Sequence, residues 1–408
     1  MSGFATRPFC TALIVLSISA SILLTGCGTT AIAASQPQAL AAQGTPAATV
    51  GVTNVPTAYV YVSNSPQSNK VEINAYSAAS NGTLAKISGS PFSTGLEYGA
   101  SMAAHGRHLF FTNGVEINSY YTANNGALQQ VGSINASQFN QSNCGGPVAL
   151  FLDQTGATLY DLDIYSDCAN NAYQFFNTEV STSELSYLGV TTASSPIFQV
   201  ALSFLGSNEY AYGASCYHWA QNIFGFLRSS SGALTDLNIS PSMPIAKSGQ
   251  MYCPGLAAAD ATIHVAVPMQ PINISTLQPV GPDQLATYTA DSSGNLTTSS
   301  TYSNMPKVAV ATITGVLASP SGKLLAVAGT GGLQIFRFNG ANPITPFSGL
   351  LTTNEVDQLA WDNANHLYAL SQSSGKLFVY TITTTNFTQA SGSPYTITNP
   401  GYMVVLSQ

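Results

Sequence analysis

Tyr76-Ser77-Ala78-Ala79-Ser80-Asn81-Gly82-Thr83-Leu84 is an aromatic residue, five spacer positions, Gly, one further position and Leu. The same spacing returns complete at Tyr120/Gly126/Leu128, Phe226/Gly232/Leu234 and Tyr288/Gly294/Leu296. Weaker copies are Phe336/Asn342/Ile344 and Tyr380/Asn386/Thr388, and Phe176 with Leu185 carries one inserted residue. Asn-Gly and Ser-Gly steps between apolar runs mark β-hairpins, because Gly and Asn accept the positive φ of a tight turn. The aromatics lie 44, 56, 50, 62, 48 and 44 residues apart. A period near 50 residues is that of propeller blades.

Outward from each hairpin lies a second apolar pair. Its later members are Tyr59–Val62, Leu109–Thr112, Leu159–Ile164, Tyr210–Ala214, Ile263–Val267, Leu324–Ala328 and Leu367–Leu370. Its earlier members begin near Ala100, Val148, Phe198, Leu256, Val316 and Asp357, joined through turns such as Asp153-Gln154-Thr155-Gly156. The unit from Ala58 lacks a first strand, and the chain carries a surplus one, Tyr402-Met403-Val404-Val405-Leu406. Placing that strand innermost in the first blade closes the ring and leaves no pair of blades facing water. Residues 57–408 are therefore predicted to be all-β: a seven-bladed β-propeller of four-stranded antiparallel blades, closed by the C-terminal strand, with few helices.

Composition agrees. Charged residues are 7% of the 408, against roughly a quarter in an average globular chain. Ten Lys and Arg, with a net charge of −7, cannot build a phosphate-neutralising surface, so no nucleic acid is expected as a partner. The Glu/Lys/Arg content of a coiled coil is absent, and 10% aromatic residues argue against charge-driven disorder.

Residues 1–27 read as an export signal. Arg7 gives a weakly positive start, and Ala12–Leu24 is an apolar run of h-region length, too short to span a bilayer comfortably. It ends in Leu24-Thr25-Gly26-Cys27, which resembles the lipobox of bacterial lipoproteins, where the Cys thiol is acylated and becomes the new N-terminus. Gly28, where retained lipoproteins carry Asp, by the same resemblance favours the outer membrane over the inner. Residues 28–56, rich in Ala, Thr, Gln, Gly and Pro and without charge, read as a flexible tether. The lipid on Cys27 is the expected membrane anchor of a bacterial cell-envelope protein.

The repeat region is similar to the lactonase-like seven-bladed propellers, related to bacterial 6-phosphogluconolactonase. The likeness is carried by Tyr61-Val62-Ser63-Asn64, the Tyr76 hairpin, Gly89-Ser90-Pro91-Phe92 and Gly392-Ser393-Pro394-Tyr395. It implies the fold, and it implies an Arg-His pair after a Gly-Pro at the start of an inner strand in active relatives. Here that stretch reads Gly146-Pro147-Val148-Ala149, and blade five reads Pro254-Gly255-Leu256-Ala257. Neither holds an ionisable group.

After Cys27, an oxidising compartment makes pairing the expectation for Cys144, Cys168, Cys216 and Cys253. Cys144 precedes the first strand of blade three and Cys168 lies in that blade's second-to-third loop. Cys216 lies in the corresponding loop of blade four, and Cys253 precedes the first strand of blade five. All four fall on one face, and nearest neighbours give Cys144–Cys168 and Cys216–Cys253. A metal site is the competing reading, without a Cys-x2-Cys pair to support it.

The same face carries an insertion, Pro268 to Asp283, and the loop residues Tyr217, His218 and Trp219 are the candidate ligand-binding group. Their alternative role is to cover the disulfide. His105, His108 and His366 fall beside turns of the opposite face and read as solvated, and His264 has no evident acidic neighbour. Asp153, Asp260 and Asp362 recur at one turn position and read as structural. Asp161, Asp163 and Asp167 could hold calcium but read better as a solvated edge. No catalytic residue, metal or cofactor is expected. Two functions follow: a non-catalytic module binding a glycan, polymer or protein, expected to be monomeric, or a diverged hydrolase acting on a sugar lactone.

Overall fold

Tyr59, Val60, Tyr61 and Val62 are all buried, although successive strand residues point to opposite faces. Continuous burial is what a sheet covered on both sides requires. The computed structural model describes residues 55–64, 70–139, 147–163, 172–179, 182, 184–192, 201–217 and 220–408, with Pro147, Val148, Asp163, Ala172, Thr192, Tyr217 and Ala220 described by backbone alone. The export signal, Cys27, nearly all of the tether, Phe198, Cys144, Asp167, Cys168, His218 and Trp219 lie outside the described residues.

Seven antiparallel sheets follow one another in a ring. Blade one is built outward from Pro400–Ser407 through Ala58–Asn64 and Glu72–Ala78 to Leu84–Lys86. The C-terminal segment is thus its innermost strand, with Tyr59 opposite Leu406 and Tyr61 opposite Val404. Blades two to four start at the inner strands Ser101–His105, Pro147–Leu152 and Ser203–Phe204. Blade five has its inner strand in two pieces, Gln250–Pro254 and Ala258–Ala259, and blades six and seven start at Ile313–Ala318 and Gln358–Trp361. The repeat's aromatics sit on the third strands, Tyr76 in Glu72–Ala78 and Phe226 in Ala220–Arg228 for example. Among the described residues the one helical segment is a 3-10 turn, Ala136–Phe139, and no helix is long and apolar enough to cross a membrane.

The core is divided as the ring demands. Seven apolar clusters each join two neighbouring blades, and together they fill all seven interfaces. Val60, Val62 and Val405 meet Tyr368 and Val379 of blade seven, while Tyr59 and Tyr61 meet Leu109 and Phe111 of blade two. Deleting any blade would expose two such faces.

The repeated Gly explains itself at the turns. Gly82, Gly126, Gly232 and Gly294 have φ of +78°, +80°, +89° and +80°, where a side chain is strained. Three of the four also supply a carbonyl to the preceding blade: Tyr61, Tyr160 and Tyr212 donate their hydroxyls to Gly126, Gly232 and Gly294 at 2.8, 2.6 and 2.8 Å.

The turn aspartates act as read. Asp362 Oδ1 accepts the N–H groups of Ala364 and His366 at 2.8 Å each, and Asp260 Oδ1 those of Thr262 and His264 at 2.8 and 3.0 Å. The histidines do not. His366 is fully buried, with Nδ1 2.7 Å from Asp362 Oδ2, and His108 is buried as well. His264 Nδ1 lies 2.9 Å from Asp260 Oδ2, so its acidic neighbour is four residues back in sequence. A turn that opens an inter-blade seam is buried by the next blade, which is why these positions are not solvated. Asp161 is likewise fully buried in its sheet rather than at a solvated edge.

Candidate binding face on blades four and five

The second strand of blade five, His264–Asn273, runs ten residues. The expected insertion from Pro268 is therefore strand up to Asn273, and only residues beyond it form the loop. Pro268 and Pro271 donate no backbone bond there, but their carbonyls accept the N–H groups of Gly255 and Val280 at 2.9 Å each. Gln250–Pro254 pairs with the extended end, Tyr252 opposite Pro271 and Cys253 opposite Gln270.

Cys216 and Cys253 form a disulfide across blades four and five, with Cα atoms 5.2 Å apart. Both lie within strands, Tyr210–Tyr217 and Gln250–Pro254, rather than in a loop and ahead of a strand. The strands are longer than the sequence pattern suggested because they pair past the end of the apolar run. Gln221 adds a second tie, its Nε2 donating to Tyr252 O at 2.5 Å. Tyr252 donates its hydroxyl to Gln284 Oε1 at 2.8 Å, and Gln284 Nε2 donates to Met305 O at 3.0 Å. The disulfide and the Gln221 bond tie the two blades together, and the Tyr252–Gln284–Met305 bonds continue the tie within blade five. Gln221, Tyr252 and Gln284 carry no motif, and only the pairing brings them together.

On this platform Ile245, Ile274, Val280 and Tyr302 are 68%, 54%, 42% and 44% exposed. The Tyr302 N–H donates to Ile245 O, and Lys247 Nζ stands 5.7 Å from the Tyr302 ring centroid. Exposed apolar residues on a braced surface suit a contact with another molecule. Asp283 is the one carboxylate here with a displaced pKa: burial pushes it up to about 6. Tyr217 pairs with Ala220 through the backbone of the blade-four hairpin; its side chain, His218 and Trp219 lie outside the described residues.

The inner strands present a different chemistry. Among the described residues they contain no Lys, Arg, Asp or Glu, and one histidine, His105. His105 ends its strand at the face opposite the disulfide. Burial holds its pKa below 6.5, with Asp153 opposing the shift. The ion pairs Arg228–Asp153, His264–Asp260 and His366–Asp362 also belong to turns of that opposite face. Among the described residues no three His, Cys, Asp or Glu side chains are placed to hold a metal ion.

Seven blades, inner strands entered from one face, and closure by the last strand fix the architecture. The chain has the fold of the lactonase-like seven-bladed propellers. It is similar to a Lactobacillus plantarum protein at 10% identity, with a TM-score of 0.59 over 86% of this chain and 99% of that one. It is similar to the periplasmic gluconolactonase of Pseudomonas aeruginosa at 13% identity and a TM-score of 0.58, covering 86% and 99%. A candidate 6-phosphogluconolactonase of Bacteroides uniformis gives 13% identity and a TM-score of 0.57, covering 85% and 99%. No family model matches the chain, and no curated protein matches it. At such identities the likeness of this propeller to the lactonases is one of fold.

Proposed function

We propose that the chain is a cell-envelope protein, anchored through lipid on Cys27, whose propeller is a binding module and not a hydrolase. One observation carries this reading: the described inner strands hold no Lys, Arg, Asp or Glu. Opening a lactone needs a base or metal to activate water and a donor to hold the oxyanion. Among the described inner-strand residues His105 is the one His, Lys, Arg, Asp or Glu, and it ends its strand at the face opposite the disulfide. The elaborated surface lies instead on blades four and five, where disulfide, glutamine ties and exposed apolar residues suit recognition of a glycan, polymer or protein.

A second reading, a diverged hydrolase of a sugar lactone, is supported by the names of two of the structural neighbours. Its base would be Asp283, the carboxyl with a pKa nearest neutrality on this face. The two readings separate in one preparation of the full chain in detergent. Saturable binding to an arrayed envelope glycan or peptide, weakened at least about tenfold by Tyr302→Ala with Ile274→Ala, supports the module. Binding unaffected by these changes places recognition elsewhere and overturns the face. Mass spectrometry of the N-terminal peptide reports the acyl groups on Cys27, and an unmodified thiol overturns the anchor.

A further inference from the structure

Ile223 stands three residues before Phe226, the repeat's aromatic, in the third strand of blade four. In the other six blades the residue at this position meets another backbone segment on the outer side. Ile73 pairs with Phe92, Ile117 with Ile134, Tyr173 with Thr191, Leu333 with Thr352 and Leu377 with Tyr395. In blade five the Leu285 N–H donates to Pro306 O at 3.1 Å. In blade four the outer strand, Leu234–Asp236, pairs with Phe226, Leu227 and Arg228, and among the described residues no strand pairs with Ile223 on its outer side.

The Leu237 N–H then donates to Gly225 O at 2.9 Å, which fixes Gly225, Ile223 and Gln221 as the outward-facing set. Beyond that point the chain departs toward blade five, where Ser242 O accepts the Tyr288 hydroxyl and Ile245 bridges Thr301. A cleft of about 250 Å³ remains, with Gln221–Phe224 as one wall and Asp236 and Asn238–Pro241 as the other.

The molecule itself shows what fits such an edge. In blade one Ser90-Pro91-Phe92-Ser93 covers it, and in blade seven Ser393-Pro394-Tyr395-Thr396 does. In both, the serine Oγ accepts the N–H of the residue before the repeat's aromatic, Ala75 at 2.9 Å and Val379 at 2.8 Å. Blade four carries the related Ser240-Pro241, but these residues form the cleft's far wall.

We propose that the edge at Gln221 and Ile223, which lines the cleft and is paired by no described strand, is a β-augmentation site for an extended peptide with a Ser-Pro-aromatic sequence. The peptide backbone pairs antiparallel with Ile223, and its aromatic side chain enters the cleft. This inference rests on the binding-module reading and names its partner as a peptide rather than a glycan.

The test uses the full chain in detergent and a fluorescent peptide copying Lys86–Thr94 of this sequence. Anisotropy is expected to saturate with a Kd of roughly 1–100 μM. A copy N-methylated at the residue matching Phe92, which loses the donor facing Ile223, should bind at least about tenfold more weakly. In the free protein the Ile223 amide should exchange about a hundredfold faster than those of Leu285 and Leu377, and slow on peptide binding. Equal binding of the methylated copy, no saturation by about 1 mM, or an Ile223 amide as protected as Leu285 would each overturn the site. Ile223→Pro would also disturb the sheet, so the methylated peptide carries the test on an unaltered protein. If the peptide fails while the same preparation binds an arrayed glycan, the peptide site falls and the binding module stands.

Discussion

The Tyr61 hydroxyl donates to the carbonyl of Gly126 at 2.8 Å, joining the second strand of blade one to the outermost turn of blade two. The same bond recurs from Tyr160 to Gly232 and from Tyr212 to Gly294. Each hydroxyl is buried in an inter-blade core, so the turn carbonyl serves as both its hydrogen-bond partner and the blade's lock. Tyr61→Phe, which keeps the ring and removes the bond, should cost about 0.5–1.5 kcal/mol in denaturant unfolding. Tyr212→Phe should cost a similar amount and add to it, since the two sites share no neighbour.

Arg228 pairs with Asp153 across blades three and four, and the two side chains are 10% and 0% exposed. Thr158 Oγ1 accepts a further bond from Arg228 at 2.8 Å. Arg228→Met leaves a buried carboxylate without its cation and should cost about 3–5 kcal/mol, read as a shift in urea midpoint. Lys323→Met, on an exposed turn, should stay within about 0.5 kcal/mol.

Asp283 sets a pH dependence. Burial raises its pKa from 3.8 to about 6, so the folded state holds the proton more tightly than the unfolded chain. The stability this gives is full below 3.8 and is lost as pH rises through about 6. Asp283→Asn should therefore raise stability at pH 7.5 by roughly 1–3 kcal/mol and leave it unchanged near pH 3.5. Thermal unfolding at the two pH values checks the difference.

Ring closure depends on Pro400–Ser407, where Met403, Val404, Val405 and Leu406 are all buried. Removing residues 400–408 bares the inner edge of blade one and one face each of blades two and seven. The truncated chain should elute as aggregate in size-exclusion chromatography, where the intact chain gives a defined species.

The periodicity of Tyr76, Gly82 and Leu84 made the seven blades legible, because a positive-φ turn and a buried strand each restrict residue type. Closure was legible from arithmetic, one strand short at Ala58 and one strand over at Tyr402. The histidines were not. His366 and Asp362 look like exposed turn residues until the next blade is placed over them, and burial by a distant part of the chain leaves no local mark. The same holds for Ile223: its sequence resembles that of its counterparts, and only the departure of residues 237–245 toward blade five leaves it without a paired outer strand among the described residues. Of the candidate face, the Cys216–Cys253 link could be read from blade geometry, whereas Gln221, Tyr252 and Gln284 could not, since glutamine and tyrosine serve equally well anywhere.

The most direct test of the whole reading is turnover. The intact chain, solubilised and checked for folding, is incubated with a panel of five- and six-membered sugar lactones while pH release is followed against buffer. A binding module whose described inner strands carry no Lys, Arg, Asp or Glu should leave every lactone at the buffer rate. Saturable hydrolysis of any one of them, abolished by Asp283→Asn, would contradict the account and put a hydrolase in its place.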